Sequence, residues 1–168
     1  MSYFDDNGYV RIPGKTKKRT KEGKAAYIEA IKFLEVQKPV GKLNLSDGLT
    51  KACRDHAMDL GPKGARGHTG TDGSSVSDRM RRYGQPQSTW GENLRYGRTD
   101  AGIDVIKSLL IDDGVADRGH RKNLFKEGYG VTGIYVGPHE TYRAISCIDY
   151  AGSFKELNGS VTKLMLLV

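Results

Sequence analysis

Apolar residues recur at helical spacing in three long stretches. In "KEGKAAYIEAIKFLEVQ" they fall at Ala26, Ala30, Ile31 and Leu34, and Pro39 stops the run, which predicts a helix over 21–37. "LNLSDGLTKACRDHAMDLG" predicts a second helix. Ser46 is its cap, and Leu49, Ala52, Cys53, His56, Ala57 and Leu60 form its inner face, with Gly61 and Pro62 at its end. "DAGIDVIKSLLIDDG" predicts a third, capped by Asp100, with Ile103, Ile106, Leu109 and Leu110 as its core face and Gly114 at its exit. A shorter helix is expected in "VSDRMRRYG", through Val76, Met80 and Tyr83. Between these lies "GPKGARGHTGTDGSS", a loop with five glycines in fifteen residues.

The pattern changes near the end of the chain. "TWGENLRYG" predicts a brief extended segment, and "GYGVTGIYVG" and "TYRAISCIDYAG" flank the turn "PHE" as a hairpin. Both hairpin strands carry apolar residues on both parities: Val131 and Tyr135 against Ile134 and Val136, then Ile145 and Cys147 against Ala144 and Ile148. A sheet apolar on both faces is covered on both sides, and helices are the material available to cover it. The expected fold is α+β: a three-layer α-β-α sandwich with a small antiparallel sheet. The tail 155–168 fits an edge strand or a dock on the core.

Composition adds limits. A chain of 168 residues is most simply one domain, and at that size a core suffices without a disulfide staple. No apolar run reaches the roughly 18 residues of a membrane span, and "MSYFDDNGYVRIPGK" has no apolar h-region of a signal peptide. The formal charge is +7. Much of the excess sits at Arg11, Lys15, Lys17, Lys18, Arg19, Lys21 and Lys24, read as a flexible basic leader over 1–20. No aromatic residues interleave with these charges as a single-strand binder needs, so nucleic acid is not the expected partner. Cys53 and Cys147 are too few for a disulfide framework and too far apart in sequence for a zinc knuckle. Two buried thiols or one helix-to-sheet disulfide both satisfy the pattern.

Of the four histidines, His56 lies on an inner helix face and His139 at the hairpin tip, where it is expected to be solvated. His68 in "RGHTG" and His120 in "RGHRKN" sit in glycine-flanked loops, free to point at a cleft. Glu92 follows a glycine beside the only tryptophan, and a carboxylate buried there needs a partner. Asp112 and Asp113 close a helix against its macrodipole, and the histidine eight positions on is a candidate to compensate them. Two imidazoles and two carboxylates suit a divalent cation, zinc first, or acid–base work without metal. No HExxH, GxSxG, SxxK or phosphate-loop motif is present; Ser74 and Ser75 near His68 stand alone.

"ACRDHAMDLGPKGARGHTGTDGSS", "DRMRRYG", "WGENLRYG", "LLIDDGVADRGHRKNLF" and "CIDYAG", in that order, resemble a CAP (SCP) domain, the superfamily of cysteine-rich secretory proteins, antigen 5 and pathogenesis-related proteins. The likeness is to its compact microbial-type branch and covers the domain assigned to 21–154. It implies an α-β-α sandwich and a cleft tetrad of two histidines and two acids, carried here by His68, Glu92, Asp112 and His120. Asn93, Arg121 and Asn123 are expected to line the same cleft. Leu109 stands where the family places a helix tryptophan, so Asp112 takes the place of a longer glutamate, with Asp113 as the fallback.

The resemblance implies a secreted protein; the first reading is a monomeric, non-enzymatic binding domain whose tetrad holds a divalent cation through His68 and His120, with no cofactor needed for folding. One alternative is a metal-dependent, peptidase-like hydrolase using Glu92 or Asp112 as base. Another is binding of a sterol, a lipid or a membrane surface.

Overall fold

A computed structural model describes residues 3–5, 7–14, 17–98 and 101–157. The fold is mixed α+β, with β1 (Tyr9–Val10), β2 (Lys18–Arg19), α1 (Lys24–Val36), β3 (Asn44–Leu45), α2 (Asp47–Leu60), α3 (Val76–Arg81), β4 (Gly84–Tyr96), α4 (Gly102–Ile111), α5 (Gly119–Leu124), β5 (Val131–His139) and β6 (Arg143–Glu156). These gather into two compact units, one from the described residues of 1–39 and 102–125, the other from those of 40–101 and 126–168.

The second unit holds a four-stranded sheet in the order β3-β5-β6-β4. β4 and β5 both run antiparallel to β6, while β3 pairs parallel to β5 at Asn44↔Val131 and Leu45↔Thr132. That parallel edge departs from the all-antiparallel expectation. β4 is also longer than the brief segment expected, because β6 offers it a partner as far as Glu156 across a bulge between Gln87 and Trp90.

α2 packs on β5 and β6. Ser46 accepts a hydrogen bond from the Leu49 N–H, as its cap position predicts, and Leu49, Ala52, Cys53, His56, Ala57 and Leu60 are all buried. The helix can lie this close because Gly133 has no side chain. A Cβ there would stand 2.2 Å from the backbone of Leu49 and Thr50. Cys53, Ala57, Leu60, Leu94, Ile145 and Cys147 form the core cluster between helix and sheet.

Both parities of β6 are buried, at Ile145 and Cys147 and at Ile148 and Tyr150. On β5, Ile134 and Val136 are exposed instead. β6 is central, whereas β5 meets β3 over two residues only, so its apolar content overstated its cover.

The first unit holds α1, α4, α5 and the β1–β2 ladder, so the described part of the expected leader carries paired strands, with Val10 buried. On α1, Ala26 and Ala30 are buried but Ile31 and Leu34 are exposed. The inner stripe passes instead through Phe33, which meets Phe125 edge-on at 5.1 Å. On α4 the buried stripe is Val105 and Leu109, while Ile103 and Ile106 are exposed. The expected Asp100 cap and the tail beyond residue 157 lie outside the described residues.

Candidate functional site

His68 lies in the loop after α2, and that loop is ordered by its polar backbone. Gly67 donates its N–H to Tyr96 Oη at 2.9 Å, and its carbonyl meets His56 Nε2 at 2.9 Å. Arg79 of α3 donates to the carbonyls of His68 and Ser74, each at 3.0 Å. Ser75 caps α3 in a reciprocal box with Asp78, so the two serines near His68 serve as loop and cap.

The loop brings His68 Nδ1 to 2.7 Å from Oε1 of Glu92 on β4. Glu92 is buried, and His68 is half exposed. The second oxygen of Glu92 accepts from Arg79 Nη2 at 2.8 Å and from the Cys147 thiol at 3.4 Å. Burial opposes the charge of Glu92. The hydrogen bond from His68 and the Arg79 charge outweigh it and hold the carboxyl below its ordinary value. Asp149 stands opposite Glu92 in the β4–β6 register. Its own burial, then the Glu92 charge, push it well above the ordinary value, so of this facing pair Glu92 keeps the charge.

The first unit contains a second pair of the same kind. His120 Nδ1 lies 2.7 Å from Asp112 Oδ1, and the other oxygen of Asp112 accepts from the backbone N–H of His120 at 2.9 Å and of Arg121 at 3.4 Å. Asp112 continues the buried Val105–Leu109 stripe one turn further. It takes a left-handed backbone, φ 55°, as α4 ends. That turn and the start of α5 bring its short side chain to the imidazole. His120 is therefore in the first turn of a helix, not in the loop expected from its glycines. Arg118, also left-handed, clasps the turn by donating to the carbonyls of Asp112 and Val115 at 2.9 Å each.

Asp113 has another task. Its carboxylate accepts from the backbone N–H groups of Lys21 and Glu22, both at 2.8 Å, ahead of α1. Of the two adjacent acids, Asp112 is the one paired with His120. Among the expected cleft-lining residues, Arg121 is buried and donates to the carbonyls of Leu110 and Ile111 and to Glu29. Asn93 is buried and donates to Tyr150 Oη at 3.3 Å, and Asn123 is half-buried in α5. His139 is buried rather than solvated. Its Nε2 meets the Ala65 carbonyl at 2.8 Å while Nδ1 accepts from Thr141 and Tyr142.

In each pair a carboxylate oxygen accepts, so the imidazole proton sits on Nδ1 and the Nε2 lone pair is the one suited to a cation. The donor set fits zinc, which takes imidazole nitrogen readily and is tuned by such carboxylates behind the ring. The carboxylates then orient the imidazoles instead of serving as ligands. Arg79 and Asp149 were not foreseen. The burial of Glu92 demanded a cation, but three arginines stand at 79, 81 and 82, and only the fold selects one.

The sequence profile of the cysteine-rich secretory protein family, CAP, matches residues 36–150. No curated protein matches the sequence. Among solved structures, the chain is similar to an outer surface protein from Borrelia burgdorferi, with a TM-score of 0.57, 20% identity, and coverage of 78% of this chain and 92% of that one. It is also similar to an extracellular protein containing an SCP domain from Bacillus anthracis str. Ames, with a TM-score of 0.51 and 20% identity over 67% of this chain. There it spans 34% of the longer protein.

Proposed function

The chain belongs to the cysteine-rich secretory protein family, and from that premise we propose that it is a non-enzymatic binding domain that takes divalent cations, zinc in the first instance, at Nε2 of His68 in the one pair and at Nε2 of His120 in the other. One observation carries the reading: the imidazole–carboxylate pair occurs twice, with Nδ1 at 2.7 Å from its acid both times. Each acid fixes one tautomer and one ring orientation. Its place of work is outside the cell, a reading supported by the outer surface and extracellular character of the two similar proteins.

Hydrolysis has less support. A general base needs an oxygen within reach of a water. Both oxygens of Glu92 and both of Asp112 already accept hydrogen bonds from protein donors.

Isothermal titration with zinc on the parent chain, His68→Ala, His120→Ala and the double variant tests the binding reading. Each single variant loses zinc relative to the parent. Loss of zinc in either single variant assigns that imidazole to an ion. Equal binding by parent and double variant overturns the proposal.

A further inference from the structure

Behind Glu92 lies a second cluster that the imidazole pairs do not use. Cys53 comes from α2, and Cys147 and Asp149 come from β6, two residues apart and so on one face of the strand. Their two sulfurs and a carboxylate oxygen all lie within 4.8 Å of one another, and all three residues are fully buried.

The hydrogen bonding there is incomplete. Cys53 Sγ donates to the Gly133 carbonyl at 3.4 Å, and Cys147 Sγ donates to Glu92 at 3.4 Å and lies 3.9 Å from Asp149 Oδ1. Asp149 Oδ2 is buried with no hydrogen-bond partner among the described residues. A buried orphan oxygen is costly, and native cores rarely keep one without a reason. A cation supplies that reason.

We propose that Cys53, Cys147 and Asp149 form a buried site for a thiophilic divalent cation of the zinc class. Two sulfurs and a carboxylate are a donor set such ions take. A tetrahedral ion with zinc–sulfur bonds of about 2.3 Å holds its sulfurs about 3.8 Å apart, so closing the site needs a movement of about 1 Å or less. On binding, each thiol and the neutral Asp149 carboxyl give their protons to solvent, the two sulfurs bind the ion, and Asp149 contributes the orphan oxygen. Arg79, paired with Glu92 and with its charge also acting on Asp149, offsets part of the negative charge gathered there. The ion ties α2 to β6 in the core.

A Cys53–Cys147 disulfide is the competing fate of the two sulfurs. Both fates remove the Cys147 thiol donor from Glu92, but the disulfide leaves Asp149 Oδ2 as it was. The orphan oxygen therefore favours the metal.

The test is independent of the imidazole reading. The full chain, purified anaerobically without reductant, is titrated with cobalt(II) and followed by near-ultraviolet absorption and thermal melting. One equivalent produces a thiolate-to-cobalt charge-transfer band and raises Tm. The band disappears in Cys147→Ser, weakens in Asp149→Asn and persists in the His68→Ala/His120→Ala double variant. Three results overturn the proposal: no band in the folded parent chain, a band unchanged in Cys147→Ser, or thiol titration that finds a Cys53–Cys147 disulfide. The parent measurement decides even where a variant fails to fold.

Discussion

Arg79 Nη2 stands 2.8 Å from Glu92 Oε2, and neither side chain meets water. This ion pair, laid under the His68 loop, joins α3 to β4. A buried pair adds little stability over an apolar pair, but breaking one side leaves a bare charge.

Arg79→Met is therefore expected to destabilise the fold by about 3–5 kcal/mol. Arg79→Met/Glu92→Met recovers part of that loss. Urea denaturation of the parent, the single and the double variant reads both, and equal stability of single variant and parent removes the pair from the account.

Asp112 performs two tasks with one carboxylate: it holds the His120 ring and accepts from two backbone N–H groups. Asp112→Asn keeps the shape and tolerates the positive φ, yet loses the second strong acceptor. Zinc affinity should fall by about 10–100-fold, as for other groups behind a metal ligand. Asp112→Ala adds roughly 1–2 kcal/mol of left-handed backbone strain. Titration calorimetry and melting separate the two effects.

Gly133→Ala has no room to succeed. Its Cβ would enter the α2 backbone at Leu49 and Thr50, which cannot swing aside as a side chain could. A loss of about 1–3 kcal/mol, or more, is expected from forcing helix and strand apart. Gly102→Ala meets nothing within 4 Å and is the control. Chemical denaturation distinguishes them.

Glu22 and Glu29 both hydrogen-bond Arg118, and that contact lowers each carboxyl to about 2. Their folded values lie below the ordinary 4.5, so the stability they add is fully present above it. It is lost as the pH falls through their folded values. Both are solvent-exposed and salt screens them. NMR titration of Arg118→Ala should show both returning toward the ordinary value; unchanged titration would refute the assignment.

The helices were legible where one face is apolar and the other polar. α2 is the clearest case, from its Ser46 cap to its Leu60 end, because it packs directly on a sheet. α1 and α4 were placed correctly along the chain, but only part of each expected stripe faces inward. Ala26, Ala30 and Leu109 are buried as expected, whereas Ile31, Leu34, Ile103 and Ile106 are exposed and Val105 is buried in addition. Periodicity reports that a stripe exists; neighbouring elements choose between stripes one residue apart.

His68, Glu92, Asp112 and His120 stood out in the sequence by residue type, glycine flanks and the likeness of their motifs to one family. Tertiary structure decided how each is used. It paired each imidazole with one acid, gave Asp113 to the start of α1 and chose Arg79 from three arginines. It also set Asp149 against Glu92 and both cysteines beside them. The reason is physical. Helical spacing, caps and turns are interactions among near neighbours, so the order of residues determines them. Burial, hydrogen-bond partners and shifted protonation depend on groups as far as 92 positions apart, and only the folded chain brings those within reach.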